Sequence, residues 1–400
     1  MKSSVVIGAN YGDEGKGLMT DYLCKKYNAD LVIRFNGGAQ AGHTVVTPEG
    51  ERHVFGHIGS GYFLGVPTYL SEYFILNPIL FKKEYADLKI PKDYLIYIST
   101  KSEITTYWDM MANRAMEEMR GDNPHGSCGV GINTTLDRAD NFLSFNFETI
   151  AAVKEKGDSL LYILEGIHCY WKEQLNNFSL EIGKPVPEWV FDCQEKTCNA
   201  HFLDDLYFMG NAVRFDGDLH RFLGNKRYAI FEGAQGLALD QFYGNFPYVT
   251  RSNTGMRNVI DLQRKSKDAF SIDEIVYVTR TYETRHGNDP YFLVGSPEIE
   301  GASDDTNLKN EWQGELRYRY LMYGSLCGRI RLDLQANNLW WFLTRDNKKA
   351  SLAFTHADQI PVNILAKQKF FDGLDIDWVY TSSGKTRNDV EESKKEKEDG

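Results

Sequence analysis

Two short apolar runs near the N-terminus, each ending in a glycine-rich turn, constrain this chain more than any other feature. Val5-Val6-Ile7 leads to Gly12-Asp13-Glu14-Gly15-Lys16-Gly17, and Leu31-Val32-Ile33 leads to Gly37-Gly38-Ala39-Gln40-Ala41-Gly42-His43-Thr44. Such runs read as buried strands, and open α/β sheets bind ligands outside their carboxyl ends, so the two loops are expected to converge. One loop brings a carboxylate and an ammonium group, the other an imidazole and an amide. The expected product is a phosphate cradle with an acid–base pair beside it.

The first loop is not a standard P-loop, which has a glycine five residues before its Gly-Lys pair and Ser or Thr after it. Asn10 and Gly17 stand at those positions, which argues against an ordinary GTPase or P-loop kinase. The physics of phosphate binding survives. Gly12, Gly15 and Gly17 let backbone amides approach phosphate oxygens, and Lys16 adds a point charge. A plain strand–helix turn with solvated charges explains one such loop, but two at successive strand ends favour a site.

Four separated blocks then resemble the adenylosuccinate synthetase family, whose members join IMP to aspartate at the expense of GTP. Tyr11–Gly17 matches W/Y-G-D-E-G-K-G, and residues 37–44 match G-G-x-N-A-G-H-T. Phe231-Glu232-Gly233-Ala234-Gln235-Gly236 matches F-E-G-A-Q-G. Pro247-Tyr248-Val249-Thr250-Arg251-Ser252-Asn253-Thr254 resembles P-Y-V-T-S-S-N-T. The resemblance implies a central, mostly parallel sheet with surrounding helices and a helical insertion. It also implies a carbon–nitrogen ligase that activates the purine 6-oxo group as a phosphate ester.

On this resemblance Asp13 is the base at purine N1, His43 stabilises or protonates the transferred oxygen, and Lys16 assists. A positioned acid or base contributes roughly 10²–10⁴ in rate, orientation and charge neutralisation the rest. The triphosphate falls to Gly12, Glu14, Gly15, Lys16, Gly17, Gly42 and Thr44. Magnesium is expected on hard oxygens, Asp13 and the Gly42 carbonyl. Thr355-His356-Ala357-Asp358 resembles T-K-x-D, whose aspartate reads guanine N1–H and the 2-amino group; His356 replaces the lysine that packs on the base. Ser383 and Gly384 resemble part of S-T-G-x-x-R, the other wall of that pocket.

The monophosphate nucleotide is assigned by resemblance to Asp13, Gln40, Ser127, Cys128, Arg138, Gln235 and Thr250. Gln40 replaces an asparagine, and Ser127 and Cys128 stand where the family has two threonines. Arg138 is read as the arginine that reaches into the neighbouring subunit of the family's homodimer, a plain surface arginine being the alternative. For aspartate, Thr284-Arg285-His286-Gly287 resembles T-R-V-G. Gln313-Gly314-Glu315-Leu316-Arg317-Tyr318-Arg319 keeps only the R-x-R spacing of T-T-G-R-x-R-R. That spacing, Arg317 and Arg319, suits bidentate carboxylate recognition.

Three readings stay open. The first is ligation of IMP and L-aspartate with GTP. The second is 2-aminoadenylosuccinate synthesis from dGMP or GMP with ATP, dATP or GTP, as in divergent phage-type relatives. Those characteristically carry serine for the catalytic aspartate, whereas Asp13 is intact. The third is a non-catalytic nucleotide-binding module, which would be marked by loss of Asp13, Lys16 or His43.

Composition agrees with a soluble enzyme: 42% hydrophobic and 13% aromatic residues suit a packed core. A net charge of −11 argues against non-specific nucleic-acid or anionic-membrane binding. No apolar run spans a bilayer and no signal pattern is seen, so a cytoplasmic location is expected. The six cysteines are scattered, and Cys193, Cys198 and His201 are too widely spaced for a zinc knuckle. The expected organisation is one elaborated α/β domain over 1–390, with a helical insertion at about 145–225 and a charged, disordered tail at 391–400. Within it, Ile104–Met119 and the Leu160-Leu161, Leu164, Ile167 spacing predict helices. Tyr228–Phe231, Ile275–Thr279, Trp340-Trp341 and Leu352-Ala353-Phe354 predict strands.

Overall fold

The computed structural model describes the chain except residues 123–124, 158, 191–194, 287–288, 290–291, 293–298, 303–315, 340–348, 361–373, 375, 377 and 395–400. Its N-terminal half runs β1 (Lys2–Gly8), α1 (Lys16–Tyr27), β2 (Leu31–Arg34), β3 (His43–Val46), β4 (Arg52–Phe55), β5 (Thr68–Leu70), α2 (Pro78–Asp87), β6 (Ile96–Ile98), α3 (Tyr107–Arg120), α4 (Ile132–Asn141), α5 (Phe147–Glu155), α6 (Leu160–Ile182), α7 (Glu195–Ala212), β7 (Arg214–Phe215) and α8 (Leu219–Gly224). It continues with β8 (Tyr228–Glu232), α9 (Arg257–Lys265), β9 (Ser271–Arg280), β10 (Tyr282–Arg285), β11 (Arg317–Tyr320), α10 (Tyr323–Ala336), β12 (Lys349–Thr355), β13 (Trp378–Ser382) and β14 (Val390–Lys394).

Ten strands form one sheet in the order β14-β13-β12-β9-β1-β8-β2-β5-β6-β7. Every neighbouring pair is parallel except β13–β14. Val5, Val6 and Ile7 alternate between the two faces of β1 and are buried on both, as a central parallel strand requires. The two N-terminal strands are not neighbours. β8 lies between them, pairing Val6 with Glu232 on one side and Arg34 with Glu232 on the other.

A third apolar cluster packs beneath the helical region. There α3 starts on a capping box in which Thr106 and Asp109 satisfy each other's backbone amides. In α6, Leu160, Leu164, Ile167, Trp171 and Leu175 form the buried stripe while Leu161 is exposed. Residues 391–394 of the charged stretch expected to be disordered lie in a strand, and 395–400 lie outside the described residues. Residues 391–394 complete β14, pairing antiparallel with β13, because backbone pairing at a sheet edge is indifferent to a charged side chain turned to solvent. The tandem tryptophans and Cys193 lie outside the described residues. Among the described residues no helix is long and apolar enough to cross a membrane, and the five described cysteines are in no disulfide.

Candidate functional site

The carboxyl ends of β1, β8, β9 and β12 carry the chemistry. Asp13, Gly15, Lys16, Gly17, Gly42, His43, Thr44, His356, Asp358 and Gly384 line one cleft, joined by Arg280, Thr355 and Gln359. Residues separated by more than 340 positions in sequence thus share one wall. Thr355 Oγ1 donates to the Glu14 carbonyl at 2.8 Å, tying the end of β12 to the first loop. Arg280 Nε donates to the Asp13 carbonyl from the end of β9.

The first loop folds around its own carboxylate. Glu14 Oε1 accepts from the amides of Asn10 at 3.0 Å and Gly12 at 2.8 Å, while Oε2 binds Lys16 Nζ at 2.7 Å. The Glu14 side chain is therefore buried and spent on folding the loop, and Gly12 serves the same turn. Gly17 departs from the P-loop pattern for a packing reason: a Cβ there would lie 2.7 Å from the Thr44 carbonyl oxygen. The second loop sits directly on the start of α1, where exposed amides favour an anion. Asp13 itself is held at φ +60°, and His286 Nε2 lies 3.4 Å from its Oδ2.

His43 opens β3 and places Nδ1 2.6 Å from Glu232 Oε1. Glu232 also accepts from the Ser60 amide and hydroxyl and lies 3.9 Å from Arg34 Nε. Burial and the Arg34 charge push His43 down to about 4, although Glu232 opposes them. Glu232 is held at about 2: burial raises it, but His43 and Arg34 outweigh burial. An ionised carboxylate only accepts, so the neutral ring carries its proton on Nδ1 and leaves Nε2 for the cleft.

A second group of predicted residues surrounds the turn Gly37-Gly38. A Cβ on Gly38 would meet Ile132 of α4 and Gln40 Oε1; one on Gly37 would meet Ala234 and Gln235 Oε1. Among the described residues the buried amide oxygens of Gln40 and Gln235 have no hydrogen-bond partner, the signature of polar groups awaiting a ligand or ordered water. Thr250 is pinned nearby through its amide to the Leu239 carbonyl at 2.8 Å. Ser127 turns its hydroxyl onto Asn113 at 2.7 Å, and its amide and that of Gly126 donate to Glu117. Cys128 follows in the loop leading to α4.

Arg138 is corrected outright. It is wholly buried, with Nε on Asp109 at 2.9 Å and further bonds to the Leu143 and Ile104 carbonyls. It cannot reach another subunit. Asp109 caps α3 and also accepts from the Trp171 indole, so Arg138 locks three helices together.

Thr284 and Arg285 on β10 pair with Tyr318 and Arg317 on β11. Arg285, Arg319 and Arg329 crowd the Tyr11 ring at 4.6, 5.5 and 5.9 Å, and Arg317 and Arg319 face Phe292. Glu283 binds Arg319 Nε at 2.5 Å and Arg329 Nη2 at 3.0 Å, and Asp289 lies 3.2 Å from Arg285. Arg285, Arg317, Arg319 and Arg329 thus gather planar donors in one place, the side-chain type suited to carboxylate recognition. Residues 313–315 lie outside the described residues.

Sequence reasoning assigned no role to Glu232, Arg34, Arg280 or Glu283. Glu232 stands inside a quoted block at the end of a buried strand, a signal that was available; the other three are defined only by their partners. Asp13 and the Gly42 carbonyl offer a divalent cation hard oxygens in the cleft, a sparse set that suits magnesium completing its shell with phosphates and water.

The family model for adenylosuccinate synthetase matches residues 5–331. The adenylosuccinate synthetase of Picrophilus torridus is 30% identical over 89% of this chain and 76% of its own length. That of Prochlorococcus marinus (strain MIT 9515) is 29% identical over 83% and 70%. Two solved structures share the fold. Plasmodium falciparum adenylosuccinate synthetase, fully ligated, gives a TM-score of 0.67 at 15% identity over 97% of this chain and 98% of that one. Cyanophage S-2L succinoaminodeoxyadenylate synthetase, bound to dGMP and dATP, gives 0.62 at 17% identity over 98% and 95%.

Proposed function

This chain belongs to the adenylosuccinate synthetase family of carbon–nitrogen ligases, and on that premise we propose that it joins IMP to L-aspartate with hydrolysis of GTP. The observation that carries the reading is the convergence of Asp13, Lys16, His43 and Asp358 on one cleft, with the arginine cluster at its edge. Asp13 accepts the N1 proton of the purine, and the resulting O6 anion attacks the γ-phosphorus as GDP leaves. Lys16 and the amides at the start of α1 hold the transferred phosphoryl group. Beside the polyanion His43 Nε2 takes a proton from water and hydrogen-bonds the 6-oxygen, its ring fixed by Glu232, and yields that proton to the oxygen as phosphate leaves C6. The aspartate amine, its carboxylates on Arg285, Arg317 and the amides nearby, then displaces phosphate from C6.

Asp358 reads guanine: it accepts from N1–H and the 2-amino group, a donor pair adenine lacks. Magnesium, when bound at Asp13 and the Gly42 carbonyl, neutralises triphosphate charge. We assign the protein to the cytoplasm, as a homodimer.

Phosphate release, measured with aspartate and magnesium while crossing IMP, GMP and dGMP with GTP, ATP and dATP, tests this. Turnover confined to IMP with GTP is the expected result. Turnover with dGMP would move the chain to 2-aminoadenylosuccinate synthesis, and silence throughout would sink the ligase reading.

A further inference from the structure

We propose that Arg251, which contacts two aspartates of α4, is the cation that grips the phosphate of the monophosphate nucleotide. The proposal rests on the nucleotide reading above. Arg251 is the single departure within the block Pro247–Thr254, where the family pattern has serine. It follows Thr250 directly and contacts α4 at Asp137 and Asp140, the helix whose first residue, Ile132, abuts Gly38 beside the Gln40 amide oxygen.

A phosphate dianion bound there needs a counter-charge. Arg138, expected from sequence to supply one, is buried on Asp109. Arg114 is turned onto the Gly129 carbonyl at 3.1 Å. The hydroxyls are also reduced, with Cys128 in place of one threonine and Ser127 committed to Asn113. Arg251 is positioned to compensate.

Its present partners are weak competitors. Arg251 contacts Asp137, and its Nη2 lies 2.6 Å from Asp140. The side chains are 35%, 47% and 64% exposed respectively, so water screens these pairs and they hold the guanidinium loosely. A bidentate bond to a phosphate at a helix start is stronger. The backbone on both sides of Arg251 is pinned, by Thr250 N to Leu239 O at 2.8 Å and Gln241 N to Ser252 O at 3.3 Å. Only the side chain has to move. Asp137 lies five residues past the first residue of α4, about 7.5 Å along the axis, within the sweep of an arginine.

The test is calorimetric titration of the full chain with IMP, dGMP and the phosphate-free nucleoside inosine. Arg251→Ala is expected to weaken IMP about ten- to a hundredfold while leaving inosine unchanged, and Arg251→Lys to recover part of the loss. The double variant Asp137→Asn/Asp140→Asn frees the arginine and is expected to tighten IMP. If Arg251 merely clamps its loop to α4, both changes break the same clamp and weaken IMP alike, which overturns the proposal. Equal loss of inosine and IMP in Arg251→Ala also overturns it. Wild-type protein that binds neither monophosphate removes the nucleotide reading itself, an outcome distinct from a variant that binds as well as wild type.

Discussion

Replacing Glu232 by glutamine tests how the buried acid holds the imidazole. Glu232 is inaccessible to solvent and accepts from His43 Nδ1, the Ser60 amide and the Ser60 hydroxyl. Either orientation of a carboxamide sets one donor against another, unless His43 shifts its proton to Nε2. Arg34, equally inaccessible, loses the acid beside it; its Nε and Nη2 already lack hydrogen-bond partners, and Nη1 reaches only the Ile58 carbonyl at 3.3 Å. Removing one partner of a buried ion pair costs about 3–5 kcal/mol. With an unfolding entropy of about 2.1 cal/mol/K per residue, the melting temperature drops about 4–6 °C for a chain of this length.

Arg34→Met in the same chain removes the stranded charge and is expected to return most of that loss. It does not restore the proton to Nδ1, so phosphate release stays low in the double variant. Calorimetry and phosphate release on wild type, single and double variants separate the two effects. A Glu232→Gln protein melting within a degree of wild type, or a double variant less stable than the single, would refute the reasoning.

Asp333 is pushed up to about 7 by burial, despite bonds from the Met256 amide and the Tyr277 hydroxyl. An unfolded aspartate ionises near pH 3.8, so between about pH 4 and 7 the folded state holds the extra proton and stability falls as pH rises. Asp333→Asn imitates the protonated acid, and its advantage over wild type in urea unfolding should grow from pH 5 to pH 8. Arg317→Leu should raise the KM for aspartate about ten- to a hundredfold and that for the triphosphate far less; equal rises in initial-rate assays would remove Arg317 from the donor site. Asp358→Asn should narrow the ratio of kcat/KM for GTP over ATP, and an unchanged ratio would mean that Asp358 does not read guanine.

Much of the cleft was legible because its parts are backbone features with residue-type signatures. Asp13, Gly15, Lys16 and Gly17 of the first loop, Gly42, His43 and Thr44 of the second, and Thr355, His356 and Asp358 of the late segment line one cleft. What the sequence hid was partnership. Nothing in the run Asp13-Glu14-Gly15 distinguishes the carboxylate that faces the cleft from the one that folds the loop. Arg138 occupies a helix that reads as a surface, yet its partner is 29 residues away on α3. The clasp of Arg319 by Glu283 follows from the β10–β11 register, which is set by tertiary packing. β14 was missed because its side chains are those of a solvated tail, while its ordering comes from backbone pairing.

The position of β8 bears on how the protein is made. β1 leaves the ribosome long before its neighbours β8 and β9, which end at residues 232 and 280. Until then the chain carries a buried central strand with both edges open and two glycine-rich loops that nothing yet brings together. Nascent chains ending before residue 228 therefore combine an unpaired apolar edge with an unformed site, the state most exposed to strand mispairing. The two glycine-rich loops therefore become one site only when that late strand has closed the sheet.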